Sequence, residues 1–562
     1  QVIDAENGKG TLPDNAVLLS FDDGYETMYN VVFPLLKAYN YPAVFAPVTG
    51  WLDTPANQKI AYADKMLDRS VFATWSQVKE MEQSGLVEVA SHTHNLHNGI
   101  NANPSGGQLP AVIAPEYKNG KYETEDAYKN RLRSDFALTV QTLVNHIGKK
   151  PRVMVWPYGQ FNDVAVQIAR QAGMQHYFSL GEKIINKVGD KHIGRLLLNA
   201  ETDLNTVKNY LNGIDESKQI QRVLHVDLDY VYDANKAQQA KNLDKLIERI
   251  YRYGATTVYL QAFSDPDGDG VADALYFPNK YLPVRDDIFG RIAWQLQTRA
   301  GVQVYAWMPV LAFDLRKSVK EAEYVIDSRT GKPSTKAYLR LSPYNKQNVE
   351  IIKSIYNDLS FYAKFNGILF HDDAFLTDFE GAEGNHAEGM VSPQAKQKTQ
   401  DLILLTHQLT DALKPYFLRG SYSLKTARNL YASVITNPNA EEWLAQNLKT
   451  LTDNYDTTAI MAMPYMENEQ PISQKEAYQW FASLIENVKA QAPLEKVLFE
   501  FQAVNWRTQK PIPESELIDW MTLLQKNHIY SYGYYPDNFL TNQPDLNKMK
   551  PYFSVNTNAG KQ

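Results

Sequence analysis

The sequence predicts two α/β domains in tandem, the second of them a (β/α)8 barrel. Apolar runs of strand length alternate with helix-period segments through the first third of the chain. A polar stretch, Gly213-Ile214-Asp215-Glu216-Ser217-Lys218-Gln219, then interrupts that rhythm as a linker would. Beyond it the rhythm restarts, with eight further apolar strand candidates and a helix-length segment between most of them. The expected divisions are 1–213, a linker over 214–221, and 222–550.

In the first domain, residues 1–15 read as the end of an element and a loop. Ala16-Val17-Leu18-Leu19 opens a buried strand that runs to Phe21. Glu26 to Tyr39 follows helical spacing, with Val31, Val32, Leu35 and Leu36 expected on one core-facing side. Ala43 to Val48 is the next strand. Thr74 caps a helix that reaches about Ser84 and closes at Gly85. The strand beginning at Val87 follows, and then a stretch rich in Asn, Gly, Pro and Lys over 98–124, expected as a long loop beside a pocket. Glu125 to Ile147 is a long helix, Arg152 to Val155 a strand, Asp163 to Ala172 a helix closed by Gly173. His176 to Leu180 and Ile193 to Leu198 are the last strands, and the sheet is expected to be mostly parallel.

The barrel strands are predicted at Val223–Asp229, Thr257–Phe263, Val302–Val310, Gly367–Asp372, Phe417–Ser423, Ala459–Pro464, Val497–Ala503 and Ile529–Tyr535. In such barrels the reactive groups lie at the C-terminal strand ends.

Composition narrows the class. Hydrophobic content of 44% and charge of 22% are ordinary for a globular chain with two full cores. A net charge of −7 argues against a nucleic-acid partner and suits a cationic ligand. There are no cysteines, which excludes disulfides and thiolate chemistry. No apolar run approaches the ~20 residues that span a membrane. The 35 Tyr and 9 Trp offer flat amphipathic rings suited to sugar faces.

Three strand ends carry chemistry. The first is Ser20-Phe21-Asp22-Asp23-Gly24-Tyr25. Successive strand residues face opposite ways, so two adjacent carboxylates serve one pocket only if the backbone turns irregular near Gly24. The alternative is a solvated turn. The second is Ser91-His92-Thr93-His94-Asn95-Leu96-His97, and the third Trp156-Pro157-Tyr158-Gly159. An Asp pair, a His cluster and an aromatic rim at three strand ends fit one pocket at one edge of an α/β fold. On the functional reading one carboxylate of the pair is a metal ligand and the other a base, with histidine nitrogens completing a site for one divalent metal, Zn²⁺, Ni²⁺, Co²⁺ or Fe²⁺.

These motifs resemble the polysaccharide deacetylase family (carbohydrate esterase family 4, NodB-like). The resemblance implies a distorted, incomplete (β/α) barrel for the first domain. It implies Asp22 as general base, Asp23, His92 and His97 as metal ligands, and Trp156 and Tyr158 as pocket wall. His94 is expected to face away and be structural. The histidine spacing of five, where four is usual, resembles the periplasmic poly-β-1,6-N-acetylglucosamine N-deacetylases of Gram-negative bacteria, as do Asp53 to Lys59, the tandem second domain and His371 to Leu376. The implied partners are that polymer, its partly deacetylated form and an outer-membrane export pore. The implied location is the periplasm, anchored to the outer membrane by lipidation, and the chain is expected to be monomeric. Two departures stand out. Val155 occupies the position where many members carry the arginine that orients the base. The family also uses a further histidine as general acid, upstream of the Asp pair in this subfamily. Only His176 and His192 remain in the domain, neither in a matching motif, so metal binding with poor deacetylation by this chain is expected.

The barrel strand ends read Asp227 and Asp229, then Asp265, Asp267 and Asp269, Trp307, His371-Asp372-Asp373, Tyr465, Trp506, and Tyr534-Tyr535. Carboxylates and aromatics suit a glycoside groove, and glycoside hydrolysis uses two carboxyls. Asp372 or Asp373 is the expected acid. Asp227, Asp229, Asp267, Trp307, Tyr465, Trp506, Tyr534 and Tyr535 are expected to contact substrate. The Asp265-x-Asp267-x-Asp269-Gly270 run matches half a calcium loop, but Tyr276 stands where a bidentate Glu belongs; an acidic substrate loop or a plain turn are the other readings. Rival functions are deacetylation of another N-acetylated glycan beside a binding-only barrel, and a non-catalytic polysaccharide-binding export chaperone.

Overall fold

The computed structural model describes residues 1–181, 185–199, 202–211, 220–334, 336–381, 391–420, 423–468 and 470–555. It divides into two compact units, Gln1–Ser217 with Pro415–Ser423, and Lys218–Lys414 with Leu424–Gln562. Most of the expected linker, 214–219, lies outside the described residues.

The first unit is built on β1 (Leu19–Asp23), β2 (Ala43–Pro47), the antiparallel hairpin β3 (Lys59–Tyr62) and β4 (Lys65–Asp68), β5 (Val87–Val89), β6 (Val153–Val155), β7 (His176–Leu180) and β8 (His192–Arg195). β1-β2-β5 and β6-β7-β8 form two parallel three-stranded sheets. Ser91 joins them, donating its N–H to Val153 O at 3.0 Å and accepting from Val155 N–H at 2.8 Å. The result is an arc of six parallel strands, as the alternation of elements predicts. The expected loop over 98–124 contains two short hairpins, Gly99–Asn101 with Gln108–Pro110 and Tyr117–Lys118 with Lys121–Tyr122.

Helix signals behave as read. Thr74 and Gln77 form a reciprocal capping box at the start of Trp75–Gln83. The long helix Glu125–Ile147 has the expected bounds; Thr124, not singled out beforehand, caps it, and it stops at Gly148 in the left-handed region, φ 75°. The helix after β1 departs from expectation. Met28–Val32 is a π-turn, whose wider pitch rotates everything beyond it. Met28, Phe33 and Leu36 are buried as a result, while Val31 and Leu35 face solvent.

The second unit is a closed parallel barrel of β9 (Arg222–Val226), β10 (Thr257–Gln261), β11 (Gln303–Met308), β12 (Gly367–Phe370), β13 (Lys425–Tyr431), β14 (Thr457–Met461), β15 (Val497–Gln502) and β16 (Tyr532–Tyr535). Seven of these overlap their predicted positions. The fifth does not: β13 replaces the expected Phe417–Ser423, which groups with the first unit. A search for apolar runs misses β13 because it carries Arg428 and Asn429 into the interior. Arg428 donates to Tyr455 OH and Ala374 O at 2.9 Å each, and Asn429 to Glu500 at 2.7 Å. Polar groups are tolerated inside when they are bonded.

The barrel closes between β9 and β16, where Gly533 sits opposite Val223. A Cβ at Gly533 would lie 2.4 Å from Val223 O and 2.8 Å from Val223 Cβ, so only glycine fits. Gly533→Ala is expected to destabilise the barrel by about 1–3 kcal/mol, read as a lower urea midpoint.

Candidate active sites

The first site lies at the C-terminal ends of β1, β5 and β6. Asp23 takes φ 71° and Gly24 φ 104°, so the chain turns between the two aspartates and both serve one pocket. A Cβ on Gly24 would also lie 3.0 Å from Leu52 and Pro47. Thr93 (φ 70°) and Tyr158 (φ 58°) are left-handed too. Such non-glycine conformations cost of order 1–3 kcal/mol each and persist where surrounding structure enforces them.

Asp23 Oδ1 lies 3.4 Å from His92 Nε2 and 3.2 Å from His97 Nε2. Burial alone would raise the Asp23 carboxyl, but the two imidazoles hold it well below the usual range. His92 is 2% exposed, and its Nδ1 reaches Val155 O at 2.7 Å. A carbonyl can only accept, so Nδ1 carries the proton and Nε2 presents a lone pair to the pocket. One carboxylate oxygen and two such nitrogens, all within 4.8 Å of one another, fit a divalent ion. His94 turns away, with Nδ1 on Thr49 Oγ1 at 2.9 Å, and its N–H and that of Asn95 are held by Asp135. It is structural, as expected.

Asp22 is gripped by Arg195, Nη1 to Oδ1 and Nη2 to Oδ2, each at 2.8 Å, and Nη1 also donates to Ser20 Oγ at 2.7 Å. The orienting arginine that Val155 does not supply thus comes from the end of β8. The signal was a lone Arg within an apolar strand, which demands a carboxylate partner somewhere. Tyr62 was also missed: its hydroxyl donates to Asp23 Oδ2 at 2.8 Å. Tyr158 reaches the pocket, its ring 4.5 Å from that of His97. Trp156 does not. It is fully buried among Phe136, Phe161 and Tyr177; the left-handed backbone at Tyr158 breaks the extended run, so the two rings do not share a face. His176 bonds Glu6 at 2.6 Å and His192 bonds Ser179 at 2.5 Å. Both sit at the N-terminal ends of their strands, a strand length from the site.

The second site is at the C-terminal mouth of the barrel, and its carboxylates differ sharply. Asp373 is fully buried and accepts from the N–H groups of Val310 (3.0 Å), Leu311 (2.6 Å) and Ala312 (2.6 Å). It pins the loop after β11 and is closed to substrate, which removes it as an acid. Asp372 accepts from Tyr338 OH at 3.0 Å and Tyr431 OH at 2.9 Å, with His371 Nε2 at 3.0 Å. Burial would lower His371, but Asp372 and Asp373 outweigh it and raise its pKa. Asp229 is enclosed by Arg285, Tyr276 OH (2.6 Å), Ser264 Oγ (3.1 Å) and Gln261 (3.1 Å). Asp227 is 8% exposed, with Oδ1 unpartnered and Oδ2 3.4 Å from Tyr535 OH. Burial first, then Asp229, pushes its carboxyl up to about 8. Trp307 lies between these groups, its ring 5.4 Å from Tyr535 and 5.3 Å from His371.

The remaining expected contacts divide. Trp506 stands 6.2 Å from the Tyr535 ring. The Tyr465 hydroxyl is held by Glu516 at 2.6 Å. Tyr534 is fully buried and bonds Asp537 at 2.7 Å. Strand alternation sends Tyr534 outward to the helices and Tyr535 inward, so Tyr534 is not a groove residue. Asp267 lies at the exposed tip of a loop in which Asp265 accepts from the N–H groups of Gly268, Asp269 and Gly270. The three carboxylates lie together, in a turn closed on itself.

Residues 9–177 match the family model "Polysaccharide deacetylase", and 225–535 match "Hypothetical glycosyl hydrolase family 13". A poly-beta-1,6-N-acetyl-D-glucosamine N-deacetylase of Escherichia coli K12 is 40% identical over 99% of this chain and 85% of its own length. An enzyme of the same description from Staphylococcus aureus MSSA476 is 27% identical over 203 residues, 36% of this chain and 61% of its own. The PgaB (BpsB) glycoside hydrolase domain from Bordetella bronchiseptica superposes with a TM-score of 0.55 and 38% identity, covering 60% of this chain and 99% of that one. Fold and matches define a polysaccharide deacetylase domain followed by a glycoside-hydrolase-like barrel. The chain belongs to the family of poly-β-1,6-N-acetyl-D-glucosamine N-deacetylases.

The carboxylate assignments separate in one measurement. Asp373→Ala leaves the three buried N–H groups of Val310, Leu311 and Ala312 without their acceptor and is expected to cost about 1–3 kcal/mol, seen as a lower thermal midpoint. Asp372→Asn keeps its tyrosine partners, whose hydroxyls also accept, and is expected to melt close to the wild type.

Proposed function

We propose that the chain removes acetyl groups from poly-β-1,6-N-acetyl-D-glucosamine at the Asp22/Asp23/His92/His97 site and cleaves the partly deacetylated polymer in the barrel. The observation that carries the first part is the donor set of Asp23, His92 and His97 with an arginine-held carboxylate beside it. Asp23, His92 and His97 would hold a divalent metal, which supplies Lewis-acid polarisation and water of lowered pKa. Asp22 takes the proton from the attacking water, and the Arg195 fork fixes the plane in which its free lone pairs point. Tyr158, partly exposed beside His97, offers a ring face to the sugar. Acetate leaves and an amine remains.

In the barrel, Asp227 is the acid. It stays protonated at neutral pH and has one oxygen bare. Asp372 is the second carboxyl, across Trp307 from it. A net charge of −7 and acidic strand ends suit a polymer that gains amines as it loses acetyls. The family relationship supports a periplasmic place for this chemistry, ahead of export through an outer-membrane pore.

Acetate release from N-acetylglucosamine oligomers, followed by mass with added Co²⁺ or Ni²⁺, tests the first half. His92→Ala is expected to abolish both bound metal and acetate release, and full metal content in that variant would refute the ligand set. For the second half, product length from a partly deacetylated polymer is the readout. Asp372→Asn is expected to retain binding and stop shortening; binding without shortening by the wild type would instead favour a binding-only barrel.

The pH profile has a defined sign. Cleavage by a protonated Asp227 is expected to hold near pH 6–7 and to fall as pH rises through about 8. The same group links to stability. Its folded pKa lies above the unfolded carboxyl value, so the stability it contributes at acid pH is lost as pH rises towards about 8. Asp227→Asn is expected to remove that decline from thermal midpoints measured between pH 5 and 8.5, as well as the cleavage.

A further inference from the structure

The hairpin of β3 and β4 brings one side chain onto two of the three candidate metal ligands. Ile60 and Tyr62 share a face, and Ile60 is buried in the core of the first unit, which seats the hairpin. Tyr62 then leans over the pocket. Its ring packs on Trp51 at 5.4 Å and Tyr25 at 6.0 Å, and stacks against His97 at 6.2 Å with 20° between the planes. Its hydroxyl donates to Asp23 Oδ2 at 2.8 Å, the oxygen that does not face the histidines. Oδ1 is the one near both Nε2 atoms. The two oxygens of Asp23 therefore have separate tasks, and the phenol decides which is which.

We infer that Tyr62 is a positioning residue of the metal centre, holding Asp23 with only Oδ1 turned to the ion while its ring restricts His97. This rests on the reading of Asp23, His92 and His97 as metal ligands. A carboxylate without that hydrogen bond is free to rotate, to offer both oxygens, or to turn to another donor. The backbone carbonyl of Val155 performs the corresponding task for His92. Outer partners of this kind typically contribute 10–100-fold to metal affinity.

The test is Tyr62→Phe in the full chain, which keeps the ring and removes only the hydroxyl. Co²⁺ affinity is measured by competition with a chromogenic chelator, and the coordination geometry by the visible spectrum of the Co²⁺ protein. The expected result is Co²⁺ binding weaker by about 10–100-fold with an altered spectrum, at unchanged far-UV circular dichroism. Asp23→Asn supplies a second arm. Adding Tyr62→Phe to that variant is expected to weaken Co²⁺ binding much less than in the wild-type background, whereas equal losses in both backgrounds would reveal a general packing effect and overturn the assignment. Wild-type affinity and spectrum in Tyr62→Phe would overturn it as well, leaving the ligand set standing. Failure of the unaltered chain to bind Co²⁺ would remove the ligand set itself.

Discussion

The pairing of Arg195 with Asp22 is the constraint on which the first unit turns. It runs from the last strand of the arc to the first. β1 and β8 share no backbone ladder, so the guanidinium spans the opening between them, with three bonds to Asp22 and Ser20. A largely buried arginine is tolerable only when its donors are met, and here the acceptors are the very groups that must be oriented for chemistry. The same contact thus links the first and last strands of the arc and fixes the orientation of Asp22. Next to it, the left-handed backbone at Asp23 turns the second carboxylate to the histidines. The strain there is local, and the dense ring packing of Trp51, Tyr62 and His97 resists its relaxation.

The barrel shows how identical side chains acquire different properties from their surroundings. Four aspartates lie at the C-terminal ends of β9 and β12. Asp373 meets three backbone N–H groups and becomes part of the scaffold. Asp229 meets an arginine and two hydroxyls, which hold it in place. Asp372 meets two phenols. Asp227 meets almost nothing, and burial together with a nearby second carboxylate pushes its carboxyl pKa up. Divergent environments for neighbouring carboxyls are the arrangement from which acid and partner are drawn in glycoside hydrolysis.

Much of this was legible in the chain itself. Apolar periodicity located seven of the eight barrel strands, and capping residues located the helices around β5 and β6. The Asp pair and the His cluster identified the first site because those side chains lie within a few residues of one another. What escaped was of another kind. The π-turn at Met28–Val32 rotated a helix face that a regular period placed inward. β13 hid behind Arg428 and Asn429, whose partners are remote in sequence. Tyr534 looked like a pocket residue because aromatic neighbours on a strand cannot be assigned a face without the register, and Trp156 because the left-handed backbone at Tyr158 breaks the extended run.

What the sequence alone determined, then, was the local information: element types, the order of units, and a candidate ligand set compressed into two short motifs. The tertiary structure decided the pairing of groups far apart in the chain, Arg195 with Asp22, Tyr62 with Asp23, and Asp373 with the loop after β11. The reason is physical. Periodicity and capping act over one or two turns of chain, whereas the protonation and orientation of a buried carboxyl depend on whatever the fold brings within about 3 Å of it.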